Sequence, residues 1–129
     1  MSRRYIATNP SRPFSDAVLI DGRTLYLSGR IGLKPGVDQV PDSIEDEAHL
    51  VMQDLQRILA CAEMRLEDLV FLQVFSPVVA LWASFNEVYR LYFSGPMPPR
   101  SFIGSSPLLF GARFELQGIA VKDDDTTAP

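Results

Sequence analysis

The segment Phe114-Glu-Leu-Gln-Gly-Ile-Ala-Val121 decides the fold. It alternates with the two-residue period of a strand. Phe114, Leu116 and Ala120 fall on one face; Glu115, Gln117, Ile119 and Val121 fall on the other. Both faces are partly apolar, so a layer packed on one side still leaves apolar side chains uncovered on the other. Arg113 to Val121 is therefore expected to close a sheet that carries helices on one face and meets another subunit with the second.

Working back from that strand, Ser101 to Ser105 reads as its companion, separated by a loop holding Pro107 and Gly111. Leu81, Phe85, Val88, Tyr89 and Tyr92 mark an amphipathic helix stopped by Gly95 and Pro96. Leu69 to Phe75 is a dense apolar run expected as a buried strand. Ile44, Ala48, Val51, Leu55, Ile58 and Ala62 recur at spacings of three and four, one face of a longer helix. Asp42 and Ser43 are both suitable N-caps, and Asp42-x-x-Glu45 resembles a capping box. Asp21-Gly22-Arg23 separates Ala17–Ile20 from Thr24–Ser28, a hairpin signal. The order ββ-α-β-α-ββ suits an α+β domain with about six strands and two helices on one face of the sheet. Cys61, Trp82, Phe85 and Tyr92 read as core, and His49 as half-buried beside the helix stripe.

Composition excludes several function classes. The 129 residues make one domain, expected over 1–122, with an acidic tail at 123–129 expected to be disordered. Sixteen acidic against 12 basic residues give a net charge of −4, the wrong balance for gripping nucleic acid by its phosphates. One Cys and one His permit neither an internal disulfide nor a Cys/His zinc cluster. The densest apolar run, Val78 to Ala83, is too short to span a membrane, and MSRRYIATNP has no apolar signal core. A cytoplasmic protein without membrane partners is expected.

Four motifs in order resemble one family. Ser28-Gly-Arg-Ile-Gly32, Asn86-x-x-Tyr89-x-x-Tyr-Phe93, Pro98-Pro-Arg-Ser101 and Phe114-Glu-Leu-Gln-Gly-Ile-Ala120 occur as in the RidA/YjgF family of enamine/imine deaminases, also called L-PSP endoribonucleases. The resemblance runs from about Tyr5 to Val121. It implies a chorismate-mutase-like fold, a homotrimer whose sheets line a central barrel, and sites at the subunit clefts. The implied reaction is hydrolysis of a 2-imino acid to a 2-keto acid and ammonia, with neither metal nor cofactor.

By that resemblance Arg100 clamps the substrate carboxylate and Glu115, fifteen residues later, positions water. Arginine suits planar two-point capture of a carboxylate, and Pro98 and Pro99 give it a stiff lead-in. Ser28 and Gly29 would line the pocket, Gly29 by close backbone approach. Arg30 replaces the family's usual Gln, either as a second pocket cation or as a solvent-facing side chain. Asn86 stands near the implied site, and Tyr89 on the same helix face is expected to pack. Phe14 replaces the family's Tyr, so an aromatic wall remains and its phenol does not. Phe102 replaces a frequent Cys and makes the floor bulkier. Gln117 stands where many members have Glu, and a neutral amide cannot act as base. Alternative readings are a non-catalytic binder of small carboxylates or of a partner protein, and an endoribonuclease.

Overall fold

A computed structural model describes residues 1–123; all of the expected tail except Asp123 lies outside them. The strands are β1 (Arg3–Ile6), β2 (Ala17–Ile20), β3 (Thr24–Ile31), β4 (Leu69–Ser76), β5 (Arg100–Gly104) and β6 (Glu115–Val121). The helices are α1 (Ile44–Cys61) and α2 (Trp82–Tyr89). The strands form one six-stranded mixed sheet in the order β1-β2-β3-β6-β4-β5. Only β4 and β5 run parallel, and α2 lies in the crossover between them. The α+β architecture with two helices is thus as the alternation patterns indicate.

Each element has a local cause. Asp21 and Gly22 both take positive φ, 53° and 65°, and Arg23 N–H donates to the Ile20 carbonyl. Two consecutive left-handed residues give a turn whose twist matches that of the strands it joins. α1 is capped by Ser43, whose hydroxyl accepts the Asp46 N–H at 3.1 Å. The cap is thus one residue later than the Asp42-x-x-Glu45 pattern suggests. Its stripe from Ala48 to Ala62 is buried against the sheet. Leu25, Leu72, Val74, Leu116 and Ala120 complete the core from the strands.

Four expectations need correction. β1 is absent from the expected order; three of its four residues are exposed, so it has no apolar alternation to read. It exists because its backbone pairs with β2 from Arg3↔Ile20 to Ile6↔Ala17. The second helix is shorter than its stripe, with a 3-10 turn on each side, Val79–Leu81 and Arg90–Tyr92. Cys61 is exposed: it sits in the last turn of α1, one residue off the stripe, with its thiol on the Arg57 carbonyl. Trp82 is 51% exposed at the start of α2, while Phe85, nearly one turn on, is sealed in the core.

Glu47 was not singled out by its sequence, yet it is fully buried on α1. Its carboxylate accepts the Arg113 N–H at 2.6 Å, the Phe114 N–H at 3.2 Å and the Arg113 Nε at 2.6 Å. These bonds fix the lead-in to β6. Gly32 lets α1 come this close, since a Cβ there would lie 2.5 Å from the Glu47 carbonyl oxygen. The opposite sheet face has no helix over it among the described residues and exposes Tyr26, Val70 and Phe71.

Candidate functional site

The expected site residues fall into two groups. Arg100 opens β5, and the carbonyl of Pro99 before it accepts the Leu72 N–H at 3.1 Å, which anchors the proline lead-in. Arg100 pairs with Leu72 and Phe102 with Val74, so both side chains stand on the helix-bearing face. The Arg100 guanidinium lies 4.8 Å from the Tyr89 ring centroid, 5.8 Å from Phe85 and 5.9 Å from Phe102. Its Nη2 donates to Asn86 Oδ1 at 2.7 Å. Asn86 and Tyr89, three residues apart on α2, therefore hold one arginine between them.

No carboxylate pairs with Arg100 among the described residues. Burial lowers its pKa; Tyr89 opposes this and the positive charge of Arg90 adds to it. The guanidinium nevertheless stays charged at any physiological pH. A half-sheltered cation with aromatic walls and no internal counter-charge is suited to a planar anion. Beneath it, the Tyr89 hydroxyl is buried without a hydrogen-bond partner among the described residues. Burial pushes that phenol up to about 12, against the pull of Arg100.

The second group surrounds Glu115. β3 carries a bulge: Leu27 pairs with Gly118 and Arg30 with Leu116, so Ser28 and Gly29 together oppose Gln117. This brings Gly29 under the Glu115 side chain, where an added Cβ would lie 2.6 Å from Oε2. Glu115 stands on the face away from the helices, while its neighbours Phe114 and Leu116 are sealed in the core. Among the described residues its carboxylate accepts no hydrogen bond. Beside it runs a cavity of about 660 Å³ whose lining includes Phe14, Gly29, Arg30, Phe110 and Glu115. Gln117 donates to Gln73 Oε1 across the strands at 2.8 Å.

Two of the expected pocket residues are occupied elsewhere. Ser28 donates its hydroxyl to the Ser15 carbonyl at 2.6 Å. Arg30 lines the cavity but is 9% exposed, held by Asp16 at 2.5 Å and by Asp54 at 2.6 Å. Burial lowers the Arg30 pKa, but the two carboxylates outweigh it and raise the value overall. Burial likewise raises Asp16, yet the Thr8 N–H, Arg30 and the Thr8 hydroxyl together hold it below its ordinary value. Asp16 and Asp54 lie 14 and 24 residues from Arg30, a separation at which no sequence pattern joins them.

The two groups do not meet within one chain. Glu115 shares a row with Phe75 and Ile103, and Arg100 lies three residues before Ile103 on the opposite face. No group of three or more His, Cys, Asp and Glu side chains among the described residues is placed to hold a metal ion. No described helix is long and apolar enough to cross a membrane.

The profile of the family described as Endoribonuclease L-PSP matches residues 6–122. This chain belongs to that family, the RidA/YjgF group. A rat family member named 2-iminobutanoate/2-iminopropanoate deaminase is 36% identical over 116 residues, covering 89% of this chain and 84% of the relative. RidA from the Antarctic bacterium Psychrobacter sp. PAMC 21119 superposes with a TM-score of 0.82 at 26% identity, covering 90% of this chain and 94% of that one. E. coli TdcF with bound serine gives 0.82 at 25% identity, covering 91% and 94%.

Proposed function

We propose that this L-PSP family chain hydrolyses reactive 2-imino acids and their enamine tautomers to 2-oxo acids and ammonia. The observation that carries this reading is Arg100, a sheltered guanidinium with no carboxylate paired to it among the described residues and one edge fixed by Asn86. The name of the rat relative supports the substrate class.

In this reading Arg100 takes the substrate carboxylate and so fixes the position of the C=N carbon. Glu115 holds a water against that carbon and accepts its proton as the C–O bond forms and the C=N π pair moves to nitrogen. The resulting carbinolamine collapses: Glu115 returns the proton to nitrogen, the hydroxyl oxygen forms the C=O bond and gives up its own proton to the Glu115 carboxylate, and the C–N bond breaks, its pair leaving with ammonia. An iminium carbon is already electrophilic, so no step calls for a metal or cofactor. Backbone at Gly29 and Phe102 would orient the nitrogen, Ser28 and Phe14 would wall the site, and Arg30, held by its two acids, would support it.

Arg100 and Glu115 stand on opposite faces of one sheet, and Arg100 sits on an edge strand. A complete site therefore calls for Arg100 from one copy beside Glu115 from another. The uncovered face with Tyr26, Val70 and Phe71 supports a homotrimer in which three such faces close a barrel, the chorismate-mutase-like arrangement.

The test couples the protein to an amino-acid oxidase that releases imines, with semicarbazide as competing trap. Faster release of ammonia and 2-oxo acid is expected, and Arg100→Ala should abolish the acceleration. Phe14 lacks a phenol, which favours one second reading: a binder of small carboxylates without turnover. Calorimetric binding of a 2-oxo acid with no imine hydrolysis would establish that reading instead.

A further inference from the structure

We infer that the cavity beside Glu115 receives the substrate's side chain and selects 2-imino acids with bulky apolar side chains, of leucine or phenylalanine size. The inference rests on the deaminase reading and adds to it the class of imine.

Size is the first argument. The cavity holds about 660 Å³. A methyl or ethyl side chain placed at Glu115 would leave most of that space to water, and pockets of roughly 300–1,000 Å³ usually take much larger ligands.

Charge is the second. Most charged side chains lining the cavity are occupied with one another. Arg12 pairs with Asp38 at 3.2 Å, Arg57 with Asp54 at 2.7 Å, and Arg30 with Asp16 and Asp54. Glu115 and Lys34 are the lining charges without an ion pair among the described residues. Beside the neutral polar Thr8, Asn9 and Gln53, the lining offers a ligand exposed apolar surface: Phe14, Val37, Leu109 and Phe110 are 47%, 48%, 69% and 43% exposed.

Backbone conformation is the third. Phe110 has φ 57° and ψ 25°, and Gly111 after it has φ 69°. A bulky residue in the left-handed region is a costly exception. Nothing in the core requires it here, because the ring is not buried; the conformation instead sets an aromatic ring on the lining of the cavity that contains Glu115. Water-exposed aromatic surface so placed is stabilised by an apolar group that displaces the water.

The test compares imines generated in place from alanine, leucine, phenylalanine and glutamate. Leucine- and phenylalanine-derived imines are expected to exceed the alanine-derived one in kcat/KM by at least about tenfold, the scale of one or two methylenes in an apolar pocket. Phe110→Ala should lower that ratio by about tenfold. Should Phe110→Ala fail to fold, Val37→Ser elsewhere on the lining carries the same expectation. A preference for the alanine-derived imine, or a ratio that neither variant moves, overturns the inference and leaves the deaminase reading intact. A preference for the glutamate-derived imine overturns it in favour of a second carboxylate held by Lys34. Hydrolysis of none of the four removes the deaminase reading and the inference with it.

Discussion

Arg30 and Arg100 stand on the same face of the same sheet and are used in opposite ways. Arg30 is bound on two sides by Asp16 and Asp54 and is nearly sealed from solvent. Arg100 has aromatic rings around it and, among the described residues, a single amide partner and no acid. Two carboxylates convert the first into a structural tie between β3, the loop before β2 and α1. The absence of any carboxylate leaves the second with an unmet demand for an anion. Residue type does not distinguish the two; the partners do.

The contrast can be broken from either side. The largest effect is expected at Arg100→Ala, which should lower kcat/KM for imine hydrolysis by about a hundredfold or more, the scale of losing a charged clamp. Its melting temperature should fall only slightly, because the loss is one hydrogen bond to Asn86 and the contacts with half-sheltered aromatic rings. If the variant melts early and keeps its activity, the assignment of the two arginines is reversed.

Arg30→Met should show the opposite profile. It leaves Asp16 and Asp54 without their shared cation, at a cost of about 3 kcal/mol. Urea unfolding measures that loss, and kcat/KM per folded molecule should fall far less than for Arg100→Ala. Acid sharpens the same point. The folded pKa of Asp16 lies below its unfolded value of 3.8. Its contribution is therefore present above that value and is lost as the pH falls through the lower folded value. The urea midpoint of the wild type should fall below about pH 4, and Asp16→Asn should lack that component of the slope.

Tyr89→Phe should have the smallest effect. It removes a buried hydroxyl that has no partner among the described residues. Stability should stay level or rise by about 1 kcal/mol, since an unmatched buried donor is a cost. A clear fall in melting temperature would mean that the hydroxyl is partnered in the assembled protein.

Much of the fold was legible because it rests on local periodicity. The α1 stripe, the Asp21-Gly22 turn and the alternation in β6 are each read within a dozen or so residues. β1 was not legible, because only Ile6 of its four residues is buried and the strand owes its conformation to β2. Glu47 was missed for a related reason. An acid in the first turn of a helix reads as a favourable dipole partner, and only the fold shows three donors converging on it from Arg113 and Phe114, just before β6. The candidate site was legible residue by residue and not as an arrangement. Arg100 and Glu115 could be named, but which faces they occupy follows from the sheet order and register, which bring distant strands together.

The bulge at Ser28 and Gly29 has a bearing on redesign. Deleting either residue would give β3 and β6 an uninterrupted ladder, an improvement by any measure of strand regularity. It would also draw the spare residue out from beneath Glu115, where even a methyl group would meet the carboxylate. Tidiness and working space compete at this one position. A sequence optimised only for the sheet would keep the fold and close the space that the carboxylate occupies.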